Sequence, residues 1–248
     1  MAPPAQKPSL ILAPGSWFPP TAFDPLATLL NAHGYKTQTV SWPSIARASA
    51  VKDLSEDITA LRALVEPEIQ DGREVIVIAH SWAGLPVNSA LEGLRKPSEG
   101  WSGGVVRLLF IAAFIPEVGE SVVSTCGGEA EWYVKDEPNN TLFPSIPFEL
   151  FFHDVPDGKT WVETLRPASW ATTNSRATGA AYVAIPSSYL LCEEDRAIPL
   201  FLQQAMVDKA REKGAQMRTE IVKTGHSPWL VDAEVVARWV RREIGEEI

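Results

Sequence analysis

The stretch Val75-Ile76-Val77-Ile78-Ala79-His80-Ser81-Trp82-Ala83-Gly84 is an apolar run that stops at a serine with a very small residue two positions away on each side, Ala79 and Ala83. A strand buried on both faces reads as such an unbroken run. A serine raised to the tip of a tight strand-to-helix turn brings its flanking backbone against neighbouring chain, where only Gly or Ala fit. A buried strand that turns into a helix around an incidental serine would read the same way over these ten positions. The remainder of the chain decides between them.

Working outward, short β-rich runs alternate with amphipathic stretches, the pattern of a parallel sheet with crossover helices. Strands are expected near Ser9 to Ala13, Tyr35 to Val40, Glu74 to Ala79, Val105 to Ala112, Ser188 to Cys192 and Met217 to Val222. A helix capped by Thr21 or Asp24 should run to about His33, with Gly34 taking the left-handed position that ends it. A second should span Val51 to Gln70, its apolar face built from Leu54, Ile58, Leu61, Leu64 and Val65. A third should run from Trp82 to about Leu94, and the last from Ala233 to Arg242. Pro199 can open another.

Between Pro116 and Pro186 the alternation fails. This segment is rich in proline and aromatic residues, among them Trp132, Tyr133, Phe143, Phe148, Phe151, Phe152, Trp161 and Trp170, and no sheet strand is evident. It is too long for an ordinary loop, so an inserted, mainly helical cap is expected over residues 116–186. Residues 1–115 and 187–248 would then form the core. An insertion at the C-terminal end of a core strand lies where open α/β sheets bind ligands.

The composition, 248 residues with 45% hydrophobic and 21% charged, is that of a globular α/β chain with a substantial core. A net charge of −9 argues against nucleic acid or an anionic membrane as partner. The opening Met1-Ala2-Pro3-Pro4-Ala5-Gln6-Lys7-Pro8 has no apolar core of signal-peptide length, and a cytoplasmic protein is expected. Two cysteines, Cys126 and Cys192, make no disulfide framework and are read as reduced.

A serine hydroxyl becomes a useful nucleophile only when a base takes its proton, so one of four histidines must reach Ser81. His33 ends a helix, His80 is turned away from its neighbour, and His153 lies in the insertion. His226, in Thr224-Gly225-His226-Ser227-Pro228 directly after the last strand, is placed to serve. A carboxylate must hold its tautomer. Cys192-Glu193-Glu194-Asp195 follows a strand, and Asp195 is the candidate because the third residue past the strand turns back towards the sheet edge; Glu194 is held in reserve. Donors for a developing oxyanion would be the N–H groups of Trp82, at a helix N-terminus, and Ser16, after Gly15 in the first loop.

Assembled in this order, Pro14-Gly15-Ser16-Trp17, Ala79-His80-Ser81-Trp82-Ala83-Gly84, Ala112-Ala113-Phe114-Ile115-Pro116, Glu194-Asp195-Arg196-Ala197-Ile198-Pro199 and Gly225-His226-Ser227-Pro228 make the chain resemble the α/β-hydrolase superfamily over nearly its whole length. The resemblance is to the branch of plant methylesterases, hydroxynitrile lyases and related bacterial and fungal hydrolases. It implies an α/β fold with a mostly parallel central sheet flanked by helices, Ser81 as nucleophile, His226 as base and then acid, Asp195 as orienting carboxylate, and no metal or organic cofactor. Three departures stand out. Pro14 replaces a histidine common before the oxyanion-loop glycine, alanines replace both elbow glycines, and Ser227 stands where the hydroxynitrile lyases carry lysine, which argues against cyanohydrin cleavage.

The expected activity is hydrolysis of a carboxylic ester or lactone of an apolar or aromatic small molecule, with Trp17, Phe114, Phe152, His153 and Trp229 as candidate substrate contacts. C–C bond hydrolysis or lactone-forming acyl transfer would use the same triad. A non-catalytic small-molecule receptor on this scaffold is the reading from another class. The sequence leaves a homodimer open.

Overall fold

The computed structural model describes residues 6–47, 49–98 and 103–248. The first five residues of the N-terminal stretch, Met1-Ala2-Pro3-Pro4-Ala5, lie outside the described residues. Strands β1 (Ser9–Ala13), β2 (Lys36–Thr39), β3 (Glu74–His80), β4 (Gly104–Ile111), β8 (Ser187–Cys192) and β9 (Met217–Val222) form one sheet in the order β2-β1-β3-β4-β8-β9, every pairing parallel. The inner strands carry the unbroken apolar runs: Leu10 to Ala13, Val75 to Ala79 and Leu108 to Ile111 are all buried, as burial on both faces requires. The edges β2 and β9 present Lys36, Arg218 and Glu220 instead, which discourages pairing with another chain.

Helices α1 (Asp24–Ala32), α2 (Ser55–Gln70), α3 (Gly84–Ala90), α8 (Leu200–Glu212), α9 (Pro228–Val231) and α10 (Ala233–Glu243) flank the sheet, with α1 packed on α10 and α2 on α3. The final helix follows its sequence signals closely. The Asp232 carboxylate accepts the Val235 N–H at 3.1 Å as an N-cap, and Val236, Ala237, Trp239 and Val240 form the buried face.

Three boundaries differ from expectation. Neither Thr21 nor Asp24 caps α1 through its side chain; a 3₁₀ turn over Pro20–Phe23 leads in, and Asp24 is already helical. Helix α2 begins at Ser55 rather than Val51, because the Asp53 carboxylate takes the Ser55 N–H at 2.8 Å in a turn that precedes the helix. Helix α3 ends at Ala90, short of Leu94, and Gly93 at φ +78° turns the chain away.

The segment between β4 and β8 contains α4 (Val122–Thr125), β5 (Tyr133–Asp136), β6 (Thr141–Pro144), a π-helical turn at Phe148–Phe152, α5 (Gly158–Thr164), β7 (Ala168–Ser169), α6 (Ala171–Asn174) and α7 (Ala181–Ala184). The expectation that it holds no strand is therefore corrected. β5, β6 and β7 make a small antiparallel sheet. Strands of four, four and two residues are too short to register as a period-2 pattern. Their hairpin is set locally by Asn140 at φ +51° and by the Asp136 carboxylate bonded to Asn139.

This segment is tied to the parallel sheet's loops by backbone. Ser169 N–H donates to Ser44 O at 2.7 Å, Arg166 N–H to Trp17 O at 2.9 Å, and Val51 N–H to Ser169 Oγ at 3.0 Å. Among the described residues no helix is long and apolar enough to cross a membrane.

One buried carboxyl is out of keeping with its surroundings. Asp57 is fully buried on α2, where one oxygen accepts the Ser44 N–H at 3.0 Å and the other has no partner. Burial pushes its carboxyl from an ordinary 3.8 up to about 6, with the Ser44 hydrogen bond opposing. Between those values the folded chain keeps a proton that the unfolded chain releases. Stability therefore falls as pH rises through this window, and the cost is complete above about pH 6. Asp57→Asn keeps the acceptor and removes the charge, so urea melts should find it about 3 kcal/mol more stable than wild type at pH 8 and nearly equal at about pH 3.5. An equal effect at both pH values would show that the carboxyl does not titrate as described.

Candidate active site

Strand β3 delivers Ser81 at its C-terminal end with φ +56°, a left-handed conformation that a serine adopts only under constraint. A 3₁₀ turn over Ser81–Ala83 then enters α3. The Ser81 carbonyl accepts the Phe114 N–H at 3.0 Å, which ties the turn to the chain leaving β4. Ala79 and Ala83 are fully buried, in keeping with the need for small neighbours. The tightest position is one further on. A Cβ on Gly84 would stand 1.7 Å from the Phe114 carbonyl oxygen. A Cβ on Gly15 would stand 2.8 Å from both Ser81 Cβ and His80 Nδ1, so the first loop presses directly on the serine.

His226 lies in the loop after β9 and is fully buried. Its Nδ1 is 2.7 Å from Asp195 Oδ2. An ionised carboxylate only accepts, so Nδ1 carries the proton and Nε2 keeps its lone pair. That Nε2 is buried and has no partner. Asp195 is held in turn by the N–H groups of Ala197 at 2.7 Å and Ile198 at 2.9 Å on its other oxygen. Glu194, the reserve candidate, is exposed and has no side-chain bond to His226. No hydrogen bond joins Ser81 Oγ to His226 in this structure; such contacts commonly close only when substrate is bound. The two residues share a wall, since the ring of Phe151 is 5.4 Å from that of His226 and Phe151 borders the same cavity as Ser81.

His80 does point away from Ser81, and its destination is specific. Its Nε2 donates to the His226 carbonyl at 3.0 Å, and the two imidazoles lie 4.5 Å apart. Phe18 at 5.2 Å and Trp229 at 4.6 Å meet the His80 ring edge-on. Burial, and then the neighbouring His226, hold its pKa well below the ordinary value, so His80 stays neutral.

Loop residues 14–18 carry the other expected donor. Ser16 N–H makes no hydrogen bond to protein, and Trp82 N–H lies in the first turn of a helix, where no intrahelical acceptor exists. Both residues border the cavity. Trp17, at φ +71°, bends the loop and anchors it by donating Nε1 to Leu142 O at 2.9 Å. The Pro14 carbonyl accepts Trp42 Nε1 at 2.7 Å, which ties this loop to the chain after β2.

A cavity of about 310 Å³ opens on Ser16, Ser81 and Trp82, walled by Trp17, Phe114, Trp132, Tyr133 and Phe151. Of the expected substrate contacts, Trp17 and Phe114 border it; Phe152, His153 and Trp229 do not. Trp229 lies beneath the site, stacked 4.4 Å from Phe23 with Nε1 bonded to Ala22 O at 2.7 Å. Phe152 is fully buried against Phe18. His153 packs on Gly225, where any Cβ would meet it at 2.6 Å, and Asp154 accepts the Gly225 N–H at 2.6 Å. The insertion thus grips the back of the histidine loop with these residues. Trp132, Tyr133, Phe151, Arg196 and the buried Gln203, whose amide bonds both Cys192 and Ile198, were not singled out as site residues from sequence. Only the density of aromatics in the segment hinted at the first three. Cys126, on the cavity wall, and buried Cys192 are both free.

A model of the alpha/beta hydrolase family matches residues 10–239. The chain is 29% identical over 249 residues to alpha/beta hydrolase nvfD of Aspergillus novofumigatus, covering 98% of both chains. Among solved structures it is similar to a pyrethroid hydrolase from Sphingobium faniae JZ-2, with a TM-score of 0.74, 17% identity and coverage of 96% and 97% of the two chains. It is similar also to the methylesterase protein MES16 from Arabidopsis, with a TM-score of 0.73, 17% identity and coverage of 95% and 98%. At these identities the structural matches speak for the fold.

The elbow geometry predicts an asymmetry among glycines. Gly84→Ala, whose Cβ meets backbone, should destabilise by roughly 3 kcal/mol or abolish folding. Gly93→Ala, at φ +78° in open space, should cost only about 1 kcal/mol. Thermal unfolding of the two variants checks the ordering, and equal costs would contradict the close approach to Phe114.

Proposed function

Because this chain belongs to the alpha/beta hydrolase family, we propose that it hydrolyses a carboxylic ester or lactone of an apolar or aromatic small molecule through an acyl-enzyme on Ser81. The observation that carries the reading is His226, with Nδ1 committed to Asp195 at 2.7 Å and Nε2 buried without a partner, beside a serine held on a strained turn. The names of its structural neighbours, a pyrethroid hydrolase and a methylesterase, support hydrolytic chemistry.

In this mechanism Ser81 Oγ attacks the substrate carbonyl while His226 Nε2 takes the hydroxyl proton. Asp195 does not take the proton; it stabilises the imidazolium and fixes the tautomer. Charge developing on the carbonyl oxygen falls to the N–H groups of Ser16 and Trp82, each worth about 3 kcal/mol where such donors have been removed. Collapse of the tetrahedral adduct breaks the ester C–O bond, and His226 returns its proton to the departing alkoxide. A water then enters, loses a proton to Nε2, and releases the acid from Ser81 by the same steps. The aromatic rings of Trp17, Trp132 and Phe151 give the space beside Ser81 an apolar wall, against which these charge interactions are less screened than in open water.

A fluorophosphonate probe should add once, at Ser81, and short-chain p-nitrophenyl esters should be turned over; Ser81→Ala and His226→Ala should lose both. Intact mass and nitrophenolate absorbance provide the readouts, and a folded wild type that is neither labelled nor active would refute the proposal. Asp195→Asn presents Nδ1 with a competing donor, so kcat should fall by roughly 10³ to 10⁴ with KM little changed.

A further inference from the structure

The cavity beside Ser81 has one charged residue in its lining. Arg196 follows the orienting Asp195 directly, while the other lining residues are apolar, aromatic, hydroxyl-bearing or the thiol of Cys126. Among the described residues no carboxylate borders the space. Glu193 and Glu194 precede Arg196 within three positions, yet among the described residues Arg196 takes part in no ion pair or side-chain hydrogen bond. The residue is exposed, so it stands where the cavity meets solvent, and its charge is left to water or to a ligand. By contrast Lys209 engages both Glu117 and Glu120, and Arg242 grips both oxygens of Glu220.

A second donor faces the same space without an acceptor. Tyr133 borders the cavity, and among the described residues its hydroxyl makes no hydrogen bond to protein. Burial, followed by the neighbouring Cys126 and Glu129, raises its pKa, so it remains a protonated donor throughout the working pH range. Thr173, also on the wall, already spends its hydroxyl on Trp170 O at 2.8 Å. Of the side chains on the wall without a hydrogen-bond partner among the described residues, Arg196 is a cation that only donates, whereas the hydroxyls of Tyr133, Ser16 and Ser81 can donate or accept.

We propose that Arg196 and Tyr133 form an anion subsite, so that the substrate is an ester or lactone that carries a carboxylate elsewhere on an apolar or aromatic body. This rests on the hydrolase reading above. The planar guanidinium matches a carboxylate through two parallel N–H bonds. One cation balances a monoanion, whereas a phosphate dianion would face an acidic protein with half its charge unpaired. A volume of about 310 Å³ accommodates a ring with one acyl group and one carboxylate.

The test compares para-acetoxybenzoate with its neutral isostere para-acetoxyacetophenone, measured on wild type, Arg196→Met and Arg196→Lys. The wild type should favour the carboxylate, and the ratio of the two kcat/KM values should fall at least tenfold in Arg196→Met through KM of the charged ester. Arg196→Lys should restore part of the ratio, and added salt should reduce it. A ratio that stays within twofold across the three proteins overturns the subsite.

Binding to Ser81→Ala, followed by quenching of the lining tryptophans, reads the same preference without turnover. There para-acetoxybenzoate should bind at least tenfold more tightly than to the double variant with Arg196→Met. Charge-selective binding without hydrolysis in the wild type would refute the hydrolase reading and keep the subsite. Hydrolysis without charge selectivity would do the reverse.

Discussion

The left-handed backbone of Ser81 is the constraint on which the site depends. Holding a serine there costs on the order of 1 to 3 kcal/mol and needs neighbours that over-determine it. Three are visible. The Phe114 N–H fixes the Ser81 carbonyl, Gly84 lets α3 lie against the Phe114 backbone, and Gly15 lets the first loop touch the Ser81 side chain. The first two hold the turn against the chain leaving β4, and the third brings the loop after β1 to the same point. The strand order, in which β1 lies between β2 and β3, makes the loops after β1 and β3 diverge there and leaves the crevice open.

The histidine is held by a second, independent construction. Asp195 fixes the edge of its ring, His80 fixes its backbone carbonyl, and Asp154 fixes the N–H of the residue before it. The three holds come from the loop after β8, from β3 itself and from the inserted segment. Aromatic rings from Phe18, Phe151 and Trp229 close around the two imidazoles. The dry surroundings explain why His80 stays neutral and serves as a donor. His80 thus holds the His226 loop through Nε2, while His80 Nδ1 and His226 Nε2 are both left without a partner.

Most of the parallel sheet was legible from sequence because burial on both faces forces long apolar runs, and β1 and β9 were placed to the residue. The order of Ser81, Asp195 and His226 was legible for a related reason. Each follows the end of a strand, and strand ends in a parallel sheet share an edge. What escaped was local or distant. The β5-β6-β7 sheet is too short to carry a period, and the start of α2 was decided by one Asp53 side chain. Bulky residues beside Ser81 and His226 look in sequence like cavity contacts, but adjacency in sequence does not say on which side of a loop a ring falls. Trp229 went underneath and His153 went behind.

The strands of the parallel sheet and the order in which Ser81, Asp195 and His226 follow their strands can be read from the chain alone, because periodicity, small-residue spacing and chain order are written along one dimension. Only the tertiary structure decided which groups have spent their hydrogen bonds and which have not. The free Nε2 of His226, the engaged His80, the unpaired Arg196 and the 1.7 Å approach that Gly84 permits all depend on partners far away in the chain. Satisfaction of a polar group is a property of its three-dimensional neighbourhood, and no local pattern of residues encodes it.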